Sequence, residues 1–484
     1  MGSRLLFVLV SLAAGLWAFR HWRRTVQLAL VLLVFEGALR KWVLPGAQDL
    51  IYFAKDGLLL AAYAGFLASD GARRARNTVR DPLLIGLILF SVLIGAIEIF
   101  NPHLPNVLVG LLGFKAYFFY VPLLWVVPAT FESRADLWRF LYLYTLLAIP
   151  LGLLALLQFG SPASSPLNTY ARTGGSTAAI STFGSSSYVR VTSTFSYITG
   201  YVSYLFATAL MILSLLSTIQ WHFKRYYVVY GALGLTLIGM LVSGSRAPVL
   251  MFAVTFPLYW WMTARRDRQN FLAITRVLVV VGVFALVLAY GADDIVNAFY
   301  GRAASAHDAG GRILSPFLQP FELAGDAGIL GYGIGATHQA ASLLVSDGET
   351  PVNWLPGLIV EDESGRVMIE TGILGFLAFY GVRIYLVLIA FRMSVRTRDR
   401  FCRSIAVACL LFFLTHLPSG IIFNVTASLY FWFFGGLIFL VERLDRQAAG
   451  ASVGTRAAAG WRSARRRAVG SAVSTSSVPS GSRS

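Results

Sequence analysis

The 484-residue chain is poor in cysteine, in lysine and in charge of any kind. Its two cysteines, Cys402 and Cys409, lie together at the start of one late span, which leaves no disulfide framework and no metal-ligand spacing. Only 13% of residues are charged against 57% that are hydrophobic, and mean hydropathy is +0.67. That balance excludes an ordinary soluble globular domain. Lysine occurs only at Lys41, Lys55, Lys115 and Lys224, so the net charge of +17 is almost all arginine. The arginines form short clusters between apolar runs, not basic stretches interleaved with aromatics, which argues against a nucleic-acid partner.

What the chain does have is long apolar runs, near residues 5–19, 25–43, 50–67, 82–100, 107–127, 137–157, 197–219, 226–242, 248–262, 277–290, 369–391, 404–417 and 426–441. Most are long enough to cross a hydrocarbon core as a helix, which predicts an all-α polytopic membrane protein of about 12 to 13 transmembrane helices. Arginine clusters at 20–24, 73–80, 265–268 and 392–403, with Lys224 and Arg225, fall on one side if the spans alternate. The positive-inside rule makes that side cytoplasmic. Four regions follow: residues 1–290 with ten spans and an external loop at 158–196, a large external loop or cap at 291–366, three last spans over 367–441, and a basic tail at 442–484. The tail, of Ala, Gly, Ser and Arg, reads as disordered and able to touch anionic lipid. Both long loops lie on the external side, and loops of such length are usually functional or disordered.

Three groups of residues stand out. Ser243-Gly244-Ser245-Arg246-Ala247-Pro248 lies at the mouth between two spans, and its serines and proline place Arg246 by a helix N-terminus. There the arginine is either part of a phosphate site or a turn residue at the lipid headgroups. Glu361, Asp362, Glu363, Arg366 and Glu370 stand where the large loop enters the next span. If that stretch is helical, Glu363, Arg366 and Glu370 share one face, as a catalytic row or as a capping cluster with an ordinary ion pair. Earlier in the loop, Arg312 precedes Gly331-Tyr332-Gly333-Ile334-Gly335, which reads as a tight turn, and His338 follows as a base, an orienter or a structural residue. Within the spans, Glu36, Arg40, Lys41, Lys55, Asp56, Lys115 and Arg383 are charges in apolar surroundings, and such charges default to a functional hypothesis. Arg40, Lys41 and Lys55 lie toward the outer leaflet, where they can support a phosphate-bearing lipid.

Taken in order, Glu36-Gly37-Ala38-Leu39-Arg40-Lys41-Trp42 with Lys55-Asp56, Ser243-Gly244-Ser245-Arg246, Gly311-Arg312, Gly331-Tyr332-Gly333-Ile334-Gly335 and Glu370-Thr371-Gly372-Ile373-Leu374-Gly375 resemble the O-antigen polymerase and O-antigen ligase superfamily, most closely its exopolysaccharide polymerases. The resemblance implies a metal-independent, inverting glycosyltransferase without a cofactor. It would act on undecaprenyl-diphosphate-linked oligosaccharide at the periplasmic face of the bacterial inner membrane. A chain-length regulator and a flippase are the further partners such a polymerase implies, beside membrane lipid. Arg246, then Arg312, then Arg366 would stabilise the departing diphosphate, with Glu361 or Glu363 as base, Glu370 beside them, and Arg40, Lys41, Lys55 and His338 on the substrate. Ligases of the superfamily usually carry a His-Asn-like pair shortly before the Glu-x-Gly; here Glu361-Asp362 takes that place, which leaves polymerase ahead of ligase. A lipid-linked sugar transporter is the reading of another class. The lack of an internal repeat and the polar residues gathered on one side weigh against it.

Overall fold

The computed structural model describes residues 2–448 except 172–179, 184–187, 219–224, 265–274, 278, 280–281, 283–308, 346–359 and 361. The expected span at 277–290 therefore lies largely outside the described residues, as do 291–308, 346–359 and 361 of the expected cap and the tail from 449 onward. The described chain is a helical bundle: α1 (Gly2–Arg20), α2 (Trp22–Ala38), α3 (Gln48–Leu67), α4 (Asp70–Arg76), α5 (Pro82–Glu98), α6 (Val107–Phe118), α7 (Leu123–Thr130), α8 (Arg134–Leu146) and α9 (Ala148–Phe159). Then follow α10 (Ile198–Leu216), α11 (Arg225–Val242), α12 (Arg246–Ala264), α13 (Ala309–Ala327), α14 (Glu363–Arg396), α15 (Arg400–Thr415) and α16 (Val425–Ala448). Among the described residues there is no strand, only an isolated bridge between Thr182 and Val189.

Six of these helices are long and apolar enough to cross a membrane, or seven if α6 and α7, bent by 41° where they meet, count as one span. The chain is thus a polytopic helical membrane protein. The expected unbroken span at 107–127 is interrupted because Pro122 has no N–H to continue the ladder at the break. Helix starts follow local chemistry: Asp81 accepts from the Leu83 and Leu84 amides with Pro82 in the first turn, Asn106 accepts from Val109, Ser133 from Asp136 and Asp399 from Cys402. In cross-section α10 and α16 form the centre, 83% and 89% buried, while the spans at Leu50–Leu67 and Arg246–Ala264 are 39% and 33% buried. The outer helices present Leu60, Leu67, Leu89, Leu93, Leu157 and Val254 to the surroundings, as lipid-facing surfaces do.

α14 is two helices. Gly372 has φ +63°, ψ −171°, and Arg383 Nη2 lies 2.6 Å from Glu363 Oε1. In a straight helix residues twenty apart are separated by about 30 Å. The chain therefore folds back at Gly372, and the span proper is the later piece, 373–396. Gly372 must be glycine on two counts: its φ is positive, and a Cβ there would lie 2.3 Å from the Ile329 carbonyl oxygen. The stretch 363–371 is helical, as its spacing suggests, but it is a separate segment returning alongside the span, not the beginning of it.

Contacts divide the bundle into two ends. At one, Arg23 pairs with Glu132, Arg134 with Asp399, and the Arg398 and Asp399 amides donate to Asp445. At the other, Arg40 reaches Ser196, Lys41 reaches Thr192, and the Tyr332 and Gly333 amides donate to the carbonyls of Ile369 and Glu370.

Candidate functional site

The second end holds a cavity of about 940 Å³. Arg40, Arg190 and Arg366 line it, with Asp362, Gln339, Ser245, His416 and the 418–424 segment. Its three arginines come from places far apart in the chain, so the fold creates the cluster.

Arg40 stands where α2 widens into a π-helical turn, Leu39–Val43, closed by the Leu44 amide on the Leu39 carbonyl. Such turns re-aim side chains. Its Nη1 donates to Ser196 Oγ at 3.0 Å, lies 3.7 Å from Glu36, and its guanidinium sits over Tyr52. Gly37 makes room for the 194–196 segment, since a Cβ would fall 2.2 Å from the Ser196 amide nitrogen. Behind Arg40 runs a chain of buried charges. Lys55 Nζ lies 2.9 Å from Glu36 and 3.7 Å from Asp56; Asp56 in turn takes Lys115 at 2.6 Å and the Tyr120 hydroxyl at 2.7 Å. Alternating sign along this row compensates charges that could not be buried singly. A smaller cavity of about 180 Å³ opens on the same arginine, between Glu36, Tyr52, Tyr197 and Asn424. Lys41 turns elsewhere: it is buried and donates to Thr192 Oγ1 at 3.0 Å and the Ser193 carbonyl at 2.5 Å.

The Ser243-Gly244-Ser245-Arg246 motif is the seat of Arg190. Gly244 has φ +62° and packs beneath the Arg190 side chain, whose Nε donates to the Ser243 carbonyl at 3.3 Å, while the Val191 amide donates to Val242. Ser245 and Ala247 line the cavity, and Arg246 between them is half-buried at the first residue of α12. No motif in the sequence singles out Arg190. It sits in a Ser/Thr/Gly-rich loop, and the available signal was the apolar flanking in Tyr188-Val189-Arg190-Val191.

The acidic row does not act as one face. Glu363 accepts from Arg383, from the Ile421 amide at 2.8 Å, from Ile422 at 2.6 Å and from Phe423 at 3.2 Å. Its oxygens tie the loop between α15 and α16 to α14. Glu370 is fully buried, and accepts from the Thr337 amide and hydroxyl at 2.7 Å each and from Tyr117 at 2.8 Å. It clamps the glycine turn, in which Gly331, Gly333 and Gly335 all have positive φ. Arg366, between them in sequence, lies over the Phe423 ring and faces the cavity. Asp362, at the N-cap of α14, lines the cavity, accepts from the Ser315 hydroxyl, and its amide donates to Gln319 Oε1. Glu361 lies outside the described residues, and of Arg312 only its place in α13 is described.

His338 Nδ1 accepts from the Ala340 amide at 3.1 Å, which puts the proton of the neutral ring on Nε2. Burial, with Lys115 and Arg366 adding repulsion, draws its pKa down from 6.5 to about 4. At neutral pH it is an uncharged donor beside Phe423. Among the described residues no three His, Cys, Asp or Glu side chains gather as a metal ion would need. The cavity is suited to an anion carried by a polar molecule: guanidinium forks on several sides, one accessible carboxylate, and amide and hydroxyl groups between. No protein-family model and no curated protein matches the chain.

Proposed function

We propose that this is a membrane glycosyltransferase that joins lipid-diphosphate-linked oligosaccharide units, a repeat-unit polymerase of the undecaprenyl-diphosphate type working at the periplasmic face of a bacterial inner membrane. In this reading the shorter helices, α5 and α11 among them, are further spans in a set of about 12 to 13. The observation that carries it is the convergence of Arg40, Arg190 and Arg366 on one cavity at an end of apolar helices. A hydroxyl oxygen of the acceptor sugar attacks the anomeric carbon of the donor. The bond from that carbon to the lipid diphosphate breaks, and its electron pair leaves with the diphosphate oxygen. Fixed guanidinium groups stabilise the charge that builds there, the kind of preorganised electrostatics that lowers such barriers most. Asp362 takes the hydroxyl proton, because Glu363 is committed to Arg383 and to amides. Arg246, whose neighbours Ser245 and Ala247 line the cavity while it does not, would act on the diphosphate from behind that edge.

The buried row Glu36, Lys55, Asp56 and Lys115 favours a second reading, transport of the lipid-linked sugar, since such rows also serve ion pathways. The test is to incubate purified protein in lipid with the diphosphate-linked units and resolve products on a gel. A ladder that falls about a hundredfold or more in Arg366→Ala and Arg246→Ala supports the polymerase. A single product formed only with lipid A core would make it a ligase, and the absence of any glycosidic product would move the weight to transport.

A further inference from the structure

Helix α13 carries apolar residues on two opposite faces. One face is packed: Leu323 and Ala327 are buried with Met368 and Ile369 of the returning segment 363–371, the Ser315 hydroxyl donates to Asp362, and the Asp362 amide donates to Gln319 Oε1 at 3.2 Å. Gly365 lets the two segments lie close, since a Cβ there would meet Gln319 Oε1 at 2.3 Å. The other face consists of Leu314, Phe317, Leu318 and Phe321, spaced i, i+3, i+4 and i+7, so all four project from one side of the helix. All four are exposed, Phe321 to 74%. Glu322 and Asp326, four residues apart and both exposed, form a polar flank between the two faces.

The exposed side runs on into the surface of a membrane span. Just past the end of α13, the Gly328 and Ile329 carbonyls accept from the Ile373 and Leu374 amides at 3.0 and 3.2 Å. That sets Ile329 and Leu330, both exposed, beside the first turn of the 373–396 span. From there Leu377, Ile384, Leu388 and Phe391 follow at helical spacing as exposed residues along one side of that span. We infer that α13 is a membrane-interface helix, with Leu314, Phe317, Leu318 and Phe321 sunk among the acyl chains of the leaflet at the cavity end and Glu322 and Asp326 turned to water. A contiguous apolar patch marks an interaction surface, and its continuity with a lipid-facing stripe names lipid as the occupant. Because the flank is acidic, attachment comes from apolar burial and not from attraction to anionic headgroups. Pro316 of the same helix lines the larger cavity, so α13 sets that cavity at headgroup depth whatever reaction it performs.

The test uses the full chain in nanodiscs of phosphatidylcholine, spin-labelled at one introduced cysteine; Cys402 and Cys409 are buried and stay out of the label's reach. Collision rates are compared for oxygen, which concentrates among acyl chains, and for a water-soluble nickel chelate. The oxygen-to-nickel ratio at Phe317→Cys and Phe321→Cys is expected to be several-fold higher than at Glu322→Cys and Asp326→Cys. A ratio no higher than at the acidic positions overturns the inference. Low access to both reagents at Phe317→Cys and Phe321→Cys also overturns it, because protein, such as a second copy of the chain, would then cover the face. Should the labelled proteins not fold, the parent chain is illuminated in phosphatidylcholine discs whose acyl chains carry a diazirine. Adducts on residues 314–321 as well as on 377–391 support the interface helix, and their absence from 314–321 overturns it.

Discussion

The two ends of the bundle handle charge in opposite ways. At the end with the larger cavity the ionic groups are buried and chained: Lys55 and Arg383 side chains are each 1% exposed, and every pair leads to another partner. At the other end the pairs are separate and wet, with Arg134 51% and Arg446 65% exposed. Burying a pair costs several kcal/mol per ion before attraction repays it, whereas an exposed pair costs and gains about 0 to 1 kcal/mol. Buried networks are therefore poor devices for stability alone. Here they fix the shape of a cavity wall and the direction of its guanidinium groups.

The sharpest way to break the contrast is Glu363→Ala. It strands Arg383 and three amides together, and should cost about 3 to 5 kcal/mol, seen as a collapse of folded yield and melting midpoint in detergent. A midpoint near that of the parent would mean that the 421–423 segment is held by something else. Next in size is the coupling of Glu36 with Lys55. A double-mutant cycle with Glu36→Gln and Lys55→Met should give an interaction of about 1 to 3 kcal/mol. Additive effects would show the row to be no network.

His338 should sharpen the comparison through pH. Its folded pKa is lowered to about 4 from 6.5, so the unfolded chain binds the proton first as pH falls. The stability it contributes is full above 6.5 and is lost as pH drops toward 4. The melting midpoint of the parent should therefore decline over that window more steeply than that of His338→Asn; parallel curves would remove the burial argument. The smallest effect belongs to the wet end, where Arg134→Gln should change stability by no more than about 1 kcal/mol despite a 2.6 Å pair with Asp399.

Helices along the apolar runs were legible because length and composition alone decide them; α10 and α16 fall within three residues of the runs that predict their starts. Reversal at Gly372 was not legible, because the same apolar run continues through it and only the crowding by Ile329 demands the glycine. Arg40 is marked by the expense of placing charge in apolar sequence and Arg366 by its spacing in the acidic row, and both line the cavity. Arg383 and Glu363 were each noticed but not joined, since twenty residues separate them and nothing local announces a fold-back. Asp362 stands out in the sequence only as part of the acidic cluster that takes the place of a His-Asn-like pair; its amide contact to Gln319 and its hydroxyl partner Ser315 come from a different helix, α13.

The burial of α16 bears on how the chain is assembled. It packs Tyr430 against Tyr144, Phe434 against Phe412 and Phe431 against Phe413, yet it is made after every other described helix. During synthesis the earlier described helices wait around an unfilled slot, with α7, α8 and α15 facing lipid or one another until α16 is made. Insertion is thus also the closing step, and a ribosome stalled before residue 425 would release a bundle lacking its axle.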